Sequence, residues 1–96
     1  MPLTGKQRRQ LRALGHHLEP VVIVGQAGVS EGVIAAVTLA LHDHELIKVK
    51  INEGPEERHE AAEKLAQGTH AELAQLLGRT ALLFKKREED SEFEDL

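Results

Sequence analysis

Gly25-Gln26-Ala27-Gly28 stands between four β-branched residues, Val21-Val22-Ile23-Val24, and a candidate helix cap at Ser30. Glycine offers no Cβ and tolerates positive φ, so another molecule can come close to its backbone. A helix starting after Ser30 would add unpaired N–H groups and the positive end of its dipole. Together these features favour a phosphate. The spacing is neither the G-x-G-x-x-G of a dinucleotide fold nor the Gly-Lys-Ser/Thr of a Walker loop. A KH-type clamp on a nucleotide chain uses G-x-x-G, but a tight strand-to-helix turn would use it equally well. Gln26 and Ala27 carry no charge, so any cation has to come from elsewhere.

The candidate cations are Lys6, Arg8, Arg9 and Arg12, then Lys48 and Lys50, then Lys85, Lys86 and Arg87. The formal net charge is −4, which argues against a nucleic-acid partner until its distribution is considered. Residues 1–51 hold six Lys/Arg against four acids, and residues 52–96 hold six against twelve. Six of those twelve acids crowd into the last nine residues. Screening limits each charge to a reach of about 10 Å, so the local balance decides what is attracted. Any one of these cations could instead belong to an ordinary solvated face, and Lys85 to Arg87 could merely balance the acids beside them. With no Tyr or Trp and only Phe84 and Phe93, base stacking has almost nothing to work with. The chemistry left is recognition of a backbone and its shape.

Other chemistries have less to stand on. The chain has no cysteine, hence no disulfide framework and no thiolate. His16-His17 and His42-Asp43-His44 invite a metal reading, but no third ligand accompanies them, and histidine near a helix C-terminus commonly serves the dipole. No Ser-His-Asp pattern and no carboxylate pair with a reason to be buried is present. The expectation is a non-enzyme without metal or cofactor.

The elements that must position these residues follow from pattern. Thr4-Gly5-Lys6-Gln7 fits a capping box, and Leu11, Leu14 and Leu18 continue an amphipathic helix whose flank carries Arg8, Arg9, Arg12 and His16. Pro20 forces extended backbone into residues 21–24, a run without alternation that reads as a central strand covered on both faces. Ile34, Val37 and Leu41 form the stripe of the helix after Ser30. Residues 45–51 alternate, with Ile47, Val49 and Ile51 on one side and Lys48 and Lys50 on the other, which predicts a half-buried strand. Pro55 begins a helix running to Gly68, with a weak stripe of Ala62, Leu65 and Ala66 that places it on the outside. Residues 70–77 have helical composition, yet a hairpin with Ala81–Phe84 through Gly78-Arg79-Thr80 requires residues 72–77 to be strand, and strand is the expectation.

The fold expected is one α/β domain, residues 1–87, of order α-β-α-β-α-β-β: a small mixed sheet packed with three helices. Residues 88–96 are acidic, have little to bury, and read as a disordered tail. Without an apolar leader or a stretch of membrane-spanning length, a soluble, cytoplasmic protein is expected, with a monomer favoured.

Four blocks occur in order: Thr4-Gly5-Lys6-Gln7, Leu18-Glu19-Pro20-Val21-Val22, Val24 through Val33 with the G-x-x-G loop, and His44 through Lys50. Together they resemble the YhbY family of bacterial RNA-binding proteins, whose module is the CRM domain (chloroplast RNA splicing and ribosome maturation). The resemblance spans roughly residues 2–86. It implies a fold similar to the C-terminal domain of translation initiation factor 3. It also implies RNA binding and association with precursors of the large ribosomal subunit. The chain departs from the pattern in lacking a Lys or Arg between the loop glycines and in its acidic end. The alternative function is a protein-interaction module that docks on a ribosomal protein or assembly factor.

Overall fold

The computed structural model describes residues 3–96. Its elements are α1 (Gly5–Gly15), β1 (Pro20–Val24), α2 (Glu31–His44), β2 (Leu46–Ile51), α3 (Pro55–Thr69), β3 (Glu72–Leu77) and β4 (Thr80–Phe84). The strands form one mixed sheet in the order β1-β2-β4-β3. β1 runs parallel to β2, whereas β4 is antiparallel to both β2 and β3.

Local chemistry sets the helix starts. The Gln7 amide donates to Thr4 Oγ1 at 3.1 Å and the Thr4 amide to Gln7 Oε1 at 2.9 Å, which closes the capping box. Ser30 Oγ accepts from the Val33 amide at 3.2 Å and opens α2. α3 starts with Pro55 in its first turn. Gly68 lies inside α3 and does not stop it: Ile34 of α2 packs where a Gly68 side chain would stand, and His70, at φ 57°, turns the chain away. β3 is a strand despite its composition, because its pairing with β4 and the buried Ala74 outweigh intrinsic preference.

Two cores lie on opposite faces of the sheet. Val37 and Leu41 of α2 and Ala61, Ala62 and Leu65 of α3 pack with Val24, Ile47, Val49, Ile51, Ala81 and Leu83. On the other face Leu11 of α1 packs with Leu46, Ala74, Leu82 and Phe84. The alternation of β2 therefore serves both faces, and only Lys48 and Lys50 escape burial.

β1 departs from the expectation of a central, doubly covered strand. It is an edge strand, and Val21 and Ile23 are 53% and 61% exposed while Val24 is fully buried. α1 packs over β2, β4 and β3, so β1 has a helix, α2, on one face only. A run of β-branched residues without polar alternation marked the strand correctly but not its coverage.

The tail also departs from expectation. Residues 88–96 form no helix or strand, yet they are docked rather than disordered. Glu45, fully buried at the α2–β2 junction with φ 64°, holds them. Its carboxylate accepts from the Arg87 amide at 2.8 Å, Ser91 Oγ at 2.6 Å and the Glu92 amide at 2.7 Å, and Arg87 Nη2 lies 3.4 Å away. Burial alone would raise the Glu45 pKa, but these hydrogen bonds and the Arg87 charge outweigh it and hold the carboxyl below its ordinary value. Phe93 then meets Phe84 edge to face at 5.2 Å, and the Leu96 carbonyl accepts from Gln7 Nε2 at 2.9 Å. The composition of the tail predicted disorder because its anchor, a single carboxylate more than forty residues earlier, has no local signature.

Candidate nucleic-acid interface

The G-x-x-G loop is a turn at the C-terminal end of β1, closed by the Gly28 amide donating to the Gly25 carbonyl at 3.0 Å. One of its donors is thus used within the loop. The Gln26 and Ala27 amides donate to no backbone carbonyl among the described residues. Beyond them, the first turn of α2 presents the amides of Glu31 and Gly32, which no intrahelical carbonyl can reach.

The two glycines are there for different reasons. Gly28 has φ 75°, a conformation that strains any other residue, and the Glu53 carboxylate lies 3.7 Å from where its Cβ would be. Gly25 has no such φ, and nothing lies within 4 Å of where its Cβ would be. The fold itself therefore does not demand glycine at 25, and the backbone there is open to close approach. Glu31 and Glu53 make the immediate surroundings of the loop acidic, so the loop offers neutral donors and no cation.

The cations gather elsewhere on the same side of the molecule. Arg12 and His16 at the end of α1 line one small groove with Lys48 of β2 and with Gln75, Thr80 and Leu82. They come this close because Gly15 has no side chain where α1 crosses Leu82. Past the end of α1 the sheet face is open. Ile23, Lys50, Thr80 and Leu77 pair in succession and form one row across all four strands. Ile23 and Leu77, 61% and 67% exposed, stand at the two ends of the row, with Lys50 beside Ile23 and Thr80 beside Leu77. Gly25 lies two residues beyond Ile23, about 7 Å along the strand direction.

Arg79 joins this group and was missed by sequence reasoning. Its carbonyl accepts from the Ile51 amide at 2.7 Å, which places the β3–β4 turn at the same end of the sheet as the G-x-x-G loop. The turn itself was legible. Its neighbour was not, because adjacency depends on strand order.

The remaining candidates lie apart. Lys6 and Arg9 are exposed along α1. Arg8 donates to the Leu73 carbonyl at 2.7 Å and is a packing residue of the β3 edge. Lys85 and Lys86 follow β4 at the opposite end of the sheet, where Phe84 pairs with Leu46. Lys85 Nζ donates to the Thr69 carbonyl at 3.0 Å and Lys86 Nζ to the Glu94 carbonyl at 3.4 Å. About 16 Å of strand separates them from the loop, so the structure does not bring all twelve positions together. Among the described residues no helix is long and apolar enough to cross a membrane, and no cluster of three His, Asp or Glu is placed to hold a metal.

A small mixed sheet with one helix on one face and two on the other has known counterparts. Residues 3–85 match the CRS1/YhbY (CRM) domain, and the chain belongs to that family. It is 41% identical to the probable RNA-binding protein PA4753 of Pseudomonas aeruginosa, over 90% of this chain and 84% of that protein. It is also 41% identical to the probable RNA-binding protein YqeI of Bacillus subtilis, over 96% of this chain and 97% of that one. The solution structure of the hypothetical protein SAV1595 from Staphylococcus aureus superposes with a TM-score of 0.83 at 35% identity, covering 94% of this chain and 95% of that chain.

Proposed function

We propose that this protein binds RNA without catalysing a reaction, acts in the cytoplasm, and assists assembly of the large ribosomal subunit. The observation that carries the binding reading is the open sheet row that holds Lys50, continuous with the Arg12–His16–Lys48 groove on one side and the free loop amides on the other. The names of the relatives support RNA as the ligand. Cations on the sheet attract the phosphates, and neutral amides at the loop fix their position. Glu53 beside Gly28 keeps the electrostatic centre of the grip on the sheet rather than in the loop. Ile23 and Leu77 supply apolar contact for sugars or base faces in place of aromatic rings.

Ribosomal RNA of the precursor large subunit is the proposed target, and the monomer is the proposed working form. Crosslinking in cells, followed by sequencing of the attached RNA, tests the assembly role. Reads enriched on large-subunit ribosomal RNA beyond its share of total RNA support it, and reads distributed in proportion to RNA abundance refute it.

A further inference from the structure

A second surface lies beside the N-terminal end of β2. The end of α1, the segment leading into β1 and the docked tail enclose an apolar groove of about 680 Å³. Leu14, Leu18 and Val21 line it and are 52%, 37% and 53% exposed. Adjoining exposed aliphatic side chains with a polar rim give this groove the character of a docking surface.

One wall is built by the tail. Phe93 is set against Phe84 at 5.2 Å, and the neighbouring Glu92 amide is held by buried Glu45 at 2.7 Å. Burying a carboxylate at a positive φ is costly, and its effect here is to fix this wall in place.

The rim decides the occupant. Glu19 and Glu92 line the groove together with the imidazole of His44, and among the described residues no Lys or Arg does. RNA phosphates would meet two carboxylates with no Lys or Arg to offset them. A second copy packed about a two-fold axis would bring its own Glu19 and Glu92 to the same groove, like charge against like. A segment with aliphatic residues on one side and Lys or Arg on the other satisfies both the floor and the rim. We propose that this groove docks a basic amphipathic segment of another protein, separately from the RNA surface.

The test is an NMR titration of the isotope-labelled full chain with a synthetic leucine–lysine peptide of helical periodicity. A leucine–glutamate peptide of the same pattern, an RNA hairpin and a dilution series of the protein alone serve as controls. The expected result is shifts at Leu14, Leu18, Val21 and Phe93 with the leucine–lysine peptide only. Leu14→Ser and Val21→Ser, both at exposed positions that the fold tolerates, should each weaken it about tenfold, as loss of an anchoring contact does. Glu19→Lys should weaken the leucine–lysine peptide and admit the leucine–glutamate one, and Leu14→Ser should leave RNA affinity unchanged. The proposal is overturned if the shifts follow the acidic tail and spare the groove, if Leu14→Ser or Val21→Ser binds the peptide like wild type, or if RNA or self-association gives the same shifts.

Discussion

Gly25 and Gly28 look equivalent in the sequence and are not. Gly28 is required by its φ of 75°, so Gly28→Asp would damage the loop as well as any ligand contact. Gly25 faces open space, so Gly25→Ala should leave the melting temperature unchanged and weaken RNA binding by several-fold, whereas Gln26→Ala should do little to either. Filter binding and thermal melts on the two variants decide this, and equal affinities for both would remove the loop from the interface. Glu45 invites a similar separation. Glu45→Gln keeps the shape but removes the charge from a buried acceptor with three short hydrogen bonds, at a cost of about 2 kcal/mol. Glu45→Gly should be more stable than Glu45→Ala by about 1 kcal/mol, because only glycine takes this φ freely. Since the fold lowers the Glu45 pKa, its stabilisation is complete above the ordinary glutamate value and is lost as pH falls through the lower folded one. Denaturant titrations of wild type and Glu45→Gln should therefore converge in acid and separate near neutrality. None of this was legible from residue types. The sequence marks Glu45 only as an acid beginning an alternating strand, and what it accepts lies at the other end of the chain.

At the scale of elements, sequence pattern carried far. The capping box, the Ser30 cap, the two-faced alternation of β2 and the β3–β4 hairpin are local statements, and each appears where its residues predicted it. What failed was adjacency: β1 at the edge, Arg79 beside the G-x-x-G end, and Lys85 and Lys86 at the other end are consequences of the order β1-β2-β4-β3. No local periodicity encodes that order. The open row of β1, β2, β4 and β3 makes its own prediction. Lys50 is exposed and Lys48 only partly so, and neither belongs to either buried core cluster. Lys50→Ala should lower the salt slope of RNA binding by about 0.7–0.9, the value for one phosphate contact. Lys86→Ala, at the far end, should leave that slope unchanged. α3 provides the contrasting case: Leu65→Ala, in the core with no exposure, should cost about 2–5 kcal/mol and leave RNA affinity per folded molecule intact.

The whole molecule measures 37 × 23 × 23 Å and separates its charges along the sheet. A net charge of −4 is compatible with an RNA grip because the acids of the tail are docked at the Leu46 end of β2, about 13 Å of strand from Lys50 and beyond a physiological Debye length of about 8 Å, and on that strand only Lys48, about 7 Å away, lies within their reach. Removing residues 88–96 should therefore lower thermal stability, since Phe93 and the Glu45 network are lost, while changing RNA affinity by less than about threefold at physiological salt. The affinity of the intact chain for a structured ribosomal RNA fragment, followed across salt concentration, tests the central claim most directly. With Arg12, Lys48, Lys50 and Arg79 on phosphates, the logarithm of the association constant should fall with a slope of about −3 against the logarithm of salt, and Lys48→Ala/Lys50→Ala should bring it to about −1.5. A wild-type affinity indifferent to salt, or a double variant with the wild-type slope, would contradict the placement of the RNA on the open face of the sheet.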